Sequence, residues 1–309
     1  MRRILASILC LALAGSTIAQ VAGGAGTYSG GSAQDREELG NRQISAAEMP
    51  PPGASYVDAA VLANVKADEY VAVFGLVQEG ETPAVCNEKL TATLAKFTAS
   101  LKGLGISAKD SFVDFIVQNR IYDFDVKDNV AKERLAGFEL KKNISIHYRD
   151  RDLLDRLVAA AAEAQIYDLI KVDYVVRDTQ AVHAKLMKEA AAVVKRKAAS
   201  LGTVMGLKLS GPTQILAEKY RAHFPTEMYS SYAAAEGEEV TMGYDRSNVI
   251  QRARKAKTFY FDPLDAKLFD VVLNPVVLEP VVQFTLYFKV KYDASSGSAV
   301  RIKSYGVHK

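Results

Sequence analysis

The sequence is poor in residues that build covalent or metal-based frameworks: its 309 residues include two cysteines, four histidines and no tryptophan. Cys10 lies in the N-terminal apolar run, which leaves Cys86 as the only cysteine in the rest of the chain. One cysteine cannot form an internal disulfide, so the fold has to rest on its apolar core. The histidines show no HxH, HxxxH or HExxH spacing, so we expect neither a metal nor another cofactor.

An excess of charge of one sign is also absent. The chain has 39 Lys and Arg against 36 Asp and Glu, and removal of Arg2 and Arg3 with an N-terminal signal leaves 37 − 36 = +1. A near-neutral chain gives no reason to expect a nucleic-acid partner. There is no Gly-x-Ser-x-Gly motif, and no Gly-Lys-Ser/Thr follows the glycine-rich stretch, so we expect no enzyme activity.

The first 19 residues have the layout of a secretory signal peptide. Arg2 and Arg3 precede an uncharged apolar run over residues 4–14, and Thr17 and Ala19 occupy the −3 and −1 positions of a cleavage site. The apolar run is too short to span a bilayer. The sequence therefore predicts export to the periplasm or outer membrane, with an uncleaved anchor as the alternative.

Composition divides the remaining chain into three parts. Residues 20–55 are rich in Gly, Ser, Ala and Pro and cannot bury much apolar area, which predicts a flexible leader. Residues 56–293 carry the periodic apolar patterns of one domain, and residues 294–309 form a polar tail. No later segment has the length and hydropathy of a transmembrane helix.

Two segments alternate strictly between apolar and polar residues, at 138–148 and 282–292. This pattern predicts antiparallel strands with one face toward water. Apolar runs and helical periodicities predict the other elements. Further strands are expected at 69–76, 112–117, 166–176 and 207–217, and helices at 83–103, 150–164 and 179–201.

The order of these elements predicts an α+β fold, in which a mainly antiparallel sheet has helices packed on one face. Regular patterns are lost over residues 219–274, which we interpret as an insertion or excursion before the last strand.

Three stretches in this order resemble the SIMPL domain family: 64–76, 137–150 and 188–206. The first contains a short Asp-bearing turn before a strand, the second a strand that leads into Arg-Asp and a helix, and the third a long Ala- and Lys-rich helix that ends near glycine. The resemblance implies a bacterial envelope location, an α+β domain and no established catalytic residues. It also implies that some members form ring- or channel-like oligomers and that others are tied to oxidative or envelope stress.

Cys86 is a candidate redox thiol. It lies in the first turn of a helix that Thr82 and Pro83 are predicted to begin, where the helix dipole favours a thiolate. The alternative is a small apolar residue packed against the sheet.

A second candidate site is a basic cluster followed by aromatic residues, which suits contact with a partner or an anionic surface. Its residues are Arg252, Arg254, Lys255, Lys257, Phe259 and Tyr260. The alternative is a plain loop that ends in a strand.

Two functional hypotheses follow. The first is a non-enzymatic, exported cell-envelope protein that self-associates into a homo-oligomer, with a role in envelope or oxidative stress. The second is a monomeric or dimeric periplasmic binding module that recognises a ligand or partner protein.

Overall fold

The computed structural model describes residues 51–128, 130–232 and 258–296. The predicted signal peptide, all but the end of the leader and most of the tail lie outside these ranges. The strands of the described part are β1 (Ala54–Val65), β2 (Glu69–Gly80), β3 (Ser111–Lys127), β4 (Val130–Tyr148), β5 (Asp168–Val175), β6 (Leu207–His223), β7 (Tyr229–Tyr232), β8 (Thr258–Phe261), β9 (Val271–Leu273) and β10 (Val282–Ser296). Its α-helices are α1 (Pro83–Gly103), α2 (Leu153–Glu163) and α3 (Thr179–Met205).

Four strands form a fully antiparallel sheet in the order β3-β4-β2-β5, which we call sheet I. The predicted alternation in β4 is confirmed, because Leu140, Ile144 and Ile146 all point into one core. Helices α1 and α2 cover that face. In α1, the predicted apolar positions Leu90 and Phe97 are fully buried against the sheet.

The other four-stranded sheet, sheet II, has the order β6-β10-β1-β9. Helix α3 covers one face of it. Strand β1 pairs with β10 in antiparallel orientation along its whole length and with the short β9 in parallel. The α+β class is therefore confirmed, but the strands divide into two four-stranded sheets, each covered by helical structure on one face, and the two-stranded sheet β7–β8, where one sheet was expected.

The sequence predicted one helix end correctly and another incorrectly. The Thr82 side chain accepts a hydrogen bond from the Val85 amide at 3.3 Å, as the predicted N-cap requires. The predicted end of α3 near Gly202 was wrong. The helix continues to Met205, and Gly206 ends it with φ 64°, a left-handed conformation that glycine adopts easily.

The expected loss of regularity from residue 219 was also wrong at both ends of that segment. Strand β6 continues to His223, paired with β10, and β9 adds to the edge of sheet II. Between them, Leu264 is buried, and its amide donates a hydrogen bond to Gln283 Oε1 at 2.7 Å. The described parts of the excursion are thus built into the domain.

Candidate interaction surface

The β3–β4 hairpin is longer than the sheet that holds it. Its strands pair with each other over their whole length, but β2 follows β4 only from Tyr148 to Phe138. The rest of the hairpin, residues 120–128 and 130–138, is a two-stranded ribbon that projects from sheet I, and we call it the ribbon.

A close backbone contact marks the place where the ribbon leaves the sheet. A Cβ atom on Gly137 would lie 2.9 Å from the carbonyl oxygen of Gly80, the last residue of β2. Glycine at this position therefore allows β4 to pass the end of β2 closely. A β-bulge follows at once, because Ile121 pairs with Gly137 while Tyr122 pairs with Leu135.

The ribbon has one apolar side and one charged side, because successive residues of a strand point to opposite faces. The pairing places five side chains together on the same side as the helices of sheet I: Tyr122, Phe124, Val126, Ala131 and Leu135. We call this set the apolar face of the ribbon. Its four large side chains are between 48% and 73% exposed. Contiguous apolar exposure of this kind is typical of an interaction site.

The opposite side of the ribbon carries paired charges. Arg134 Nε lies 2.8 Å from Asp125 Oδ1, and Arg134 Nη2 lies 3.9 Å from Asp123 Oδ2. Lys132 pairs directly with Asp125 across the strands. Exposed ion pairs contribute little to stability, but they keep this side of the ribbon in water. The ribbon is thus amphipathic, with a solvated face and an apolar face that no described residue covers.

The apolar exposure continues along the edge of sheet I. Strand β3 is an edge strand, and its Phe112 and Phe115 are 69% and 58% exposed. At the opposite edge, β5 exposes Leu169 and Ile170. Edge strands present unpaired backbone groups that another chain can use.

The structure places Cys86 in the core. Its side chain is 0% exposed, and Sγ lies 3.2 Å from the carbonyl oxygen of Phe138. This burial supports the interpretation of Cys86 as a packed residue. The redox hypothesis stays a prediction that labelling can test.

We expect Cys86 in native protein to react with a thiol reagent on the order of 100-fold more slowly than in denaturant, because the reagent needs a local opening of the core. An Ala84→Cys variant in a Cys86→Ala background supplies an exposed thiol on the same turn as the control. Native Cys86 that reacts as fast as this control thiol would contradict the burial argument and support the redox hypothesis.

The predicted basic and aromatic site is only partly described. Arg252, Arg254, Lys255 and Lys257 lie outside the described residues. Phe259 and Tyr260 belong to β8, where they pair with Ser231 and Ser230 of β7 and are each half exposed. The strand at this position agrees with the alternative interpretation of a loop that ends in a strand. The proposed surface contact stays untested.

Two of the histidines, His147 and His183, have carboxylate partners near the surface. His147 Nε2 lies 3.2 Å from Glu69 Oε2, and His183 Nε2 lies 2.9 Å from Glu218 Oε1. A hydrogen bond from Arg149 is the main reason that the pKa of Glu69 lies below its ordinary value, and burial opposes that shift. These contacts join neighbouring elements at the surface.

Within the described ranges, no group of three or more His, Cys, Asp or Glu side chains could hold a metal ion. Among the helices of those ranges, none is long and apolar enough to cross a membrane.

The architecture and the comparison with protein families agree. A sequence model of the SIMPL family, described as a protein of unknown function (DUF541), matches residues 56–256. This match covers more than half of the chain, so the chain belongs to the SIMPL family. No curated protein matches the sequence.

The ribbon was not recognised in the sequence, where only residues 112–117 were assigned to a strand. A signal was present. Tyr122, Phe124 and Val126 alternate with Asp123, Asp125 and Lys127, and the Asp128-Asn129 dipeptide that follows favours a tight hairpin turn. Asp128 adopts φ 52°, in the left-handed region that such turns use.

Proposed function

We propose that this chain is a non-enzymatic, exported protein of the bacterial cell envelope that self-associates into an oligomer. The observation that carries the proposal is the uncovered apolar face of the ribbon. An isolated two-stranded hairpin is only marginally stable in water, and this one holds Tyr122, Phe124, Val126 and Leu135 against solvent. A second layer packed on this face would stabilise the hairpin and remove its apolar side chains from water. A further copy of the chain can supply that layer.

Export rests on the N-terminal sequence pattern, and a role in envelope or oxidative stress rests on the family resemblance alone. N-terminal sequencing of protein recovered from the envelope tests the first point. A chain that still carries residues 1–19 in its released form would contradict cleavage.

Self-association can be tested with mature protein, residues 20–309, by light scattering of a sizing-column eluate at several concentrations. We expect a mass above that of a monomer for the native sequence. The double variant Phe124→Thr with Val126→Thr should weaken association by about 10- to 100-fold, because apolar area is lost from the contact. Threonine keeps the strand preference of both positions.

The matched control changes the other side of the same ribbon: Lys127→Ser with Lys132→Ser. This control should keep the native mass, because both lysines lie on the charged side. A native protein that stays monomeric at every concentration would contradict self-association and favour a periplasmic binding module that acts as a monomer.

A further inference from the structure

The apolar side of the ribbon carries one charge of each sign, and the two charges lie at equal distances from its centre. Each row of this side is a cross-strand pair. From the turn toward the sheet, the rows are Val126 with Ala131, Phe124 with Glu133, Tyr122 with Leu135, and Arg120 with Phe138. Glu133 thus lies one row above the Tyr122 row, and Arg120 lies one row below it.

Neither charge is neutralised within the described part of the chain. Arg120 and Glu133 are exposed and lie two rows apart, about 13 Å along the strands. The ion pairs of the described residues include neither of them, whereas Arg134 on the other side pairs with Asp123 and Asp125. A charge on each side of the Tyr122–Leu135 row is therefore available to a partner.

We propose that the apolar faces of two ribbons from two copies of this chain pack on each other around a two-fold axis at the Tyr122–Leu135 row. This inference rests on the proposed self-association and specifies its contact. A two-fold interface is self-complementary, so residue i meets residue j and j meets i. In this arrangement the rows of the two ribbons run in opposite order. The Arg120 row of each copy therefore faces the Phe124–Glu133 row of its partner.

The side chains of the facing rows are chemically complementary. The guanidinium of Arg120 meets a carboxylate, Glu133, and an aromatic ring, Phe124, on the other copy, which supplies an ion pair and a cation–π contact. The central row brings Tyr122 and Leu135 onto their own counterparts. Two sheet layers pack about 10 Å apart, a gap that these long side chains can fill. Parallel stacking of the ribbons would instead place like charges over each other.

The positions of the two charges also explain why the preferred partner of the ribbon is a second copy of the same chain. Charges at the rim of an interface set specificity and register more than affinity. A reversed copy of the same ribbon places its basic row on the acidic row and its acidic row on the basic row.

Helix α1 leaves room for the second ribbon along β3. It packs on β2 and β4, whereas Val113 and Phe115 of β3, on the same side as the helix, are 40% and 58% exposed. The tip of the partner ribbon can therefore extend beside α1, over Gln118 and toward Phe115 of β3. Continuity of the ribbon face with this exposed edge enlarges the surface that the second copy would cover.

Two charge-reversal variants test the pairing: Arg120→Glu and Glu133→Arg. In a two-fold contact, each variant alone places like charges together twice, so each should associate at least about 10-fold more weakly than the native chain. In an equimolar mixture of the two, the substituted glutamate of one copy faces the substituted arginine of the other. The native Glu133 of the first copy then faces the native Arg120 of the second. The mixture should therefore recover association, and the recovered species should contain both chains when one is tagged.

The outcomes separate this inference from the broader proposal. Native protein that associates while both reversal variants keep its mass, or a mixture that associates no better than its components, overturns the ribbon pairing and leaves self-association standing. Native protein that remains monomeric overturns both. Recovery in the mixture also shows that both variants are folded, since neither alone could supply it.

Discussion

Phe97→Ala should destabilise the domain by about 3–5 kcal/mol in the free energy of unfolding, as expected for an aromatic residue removed from a packed core. Phe97 is 0% exposed, and its ring meets the Phe74 ring at 5.7 Å in an edge-to-face arrangement. This pair joins α1 to the centre of β2. Alanine would remove both the ring contact and most of the volume that holds the helix on sheet I.

Urea unfolding, followed by circular dichroism, measures this effect. The matched control is Phe112→Ala in the same sheet, since Phe112 is 69% exposed on the face away from the helices. We expect the control to change the unfolding free energy by less than about 1 kcal/mol. A Phe97 variant as stable as this control would mean that the core of sheet I repacks around the missing ring.

Strong periodicity explains which elements could be read from the sequence. The even positions of β4 predicted a strand with one wet face, and the structure has it. The alternation of β10 predicted the strand correctly, but its polar face is not wet throughout, because Gln283 and Thr285 are buried. The spacing of Leu90, Phe97 and Leu101 predicted the buried face of α1 in the same way as in β4. In β4 and α1, one side of the element faces a core and the other faces water.

Strand β1 could not be found by the same argument. Its residues 59–63 are nearly all buried, on both faces of sheet II, so no alternation appears in the sequence. Without β1, the strands could not be divided into two sheets. Strand β9, with three residues, is too short to carry any period.

The candidate interaction surface shows a different limit of prediction from sequence. The alternation of residues 122–127 is as regular as that of β4, but the apolar side of the ribbon faces no core within the described part of the chain. Whether such a side is buried depends on where β2 ends, at Gly80, and only the pairing of the strands shows this. Local sequence can predict an amphipathic strand, and the fold decides whether that strand needs a partner.

A buried polar group holds the excursion to sheet II on the face away from α3. Gln283 is 0% exposed, and its side chain joins two separate segments. Oε1 accepts a hydrogen bond from the Leu264 amide at 2.7 Å, and Nε2 donates to Asn64 Oδ1 at 2.6 Å. Asn64 in turn exchanges two hydrogen bonds with Asn274 at 2.9 and 3.0 Å. Across the described residues, no buried side-chain nitrogen or oxygen is left without a partner.

Gln283→Ala should therefore destabilise the domain by about 2–5 kcal/mol, because a buried donor or acceptor that loses its partner costs roughly 1–3 kcal/mol. The Leu264 amide and Asn64 would each lose their hydrogen bond to Gln283. The cavity left by the shorter side chain would destabilise the domain further. We also expect the excursion to loosen before the sheet unfolds, since Leu264 loses its link to β10. Hydrogen exchange at the Leu264 amide, measured beside urea unfolding, follows both effects.

Gln214→Ala is the matched control, because Gln214 lies on the same face of sheet II but is exposed, opposite Lys291. It should stay within about 0.5 kcal/mol of the native protein. If Gln283→Ala matched this control while the Leu264 amide stayed protected, water would have to replace the glutamine in the network. If exchange at Leu264 rose and the unfolding free energy fell, the excursion would be a part of the domain that polar contacts hold in place. Polar contacts need no apolar period, which accounts for the absence of a regular apolar pattern over residues 262–270.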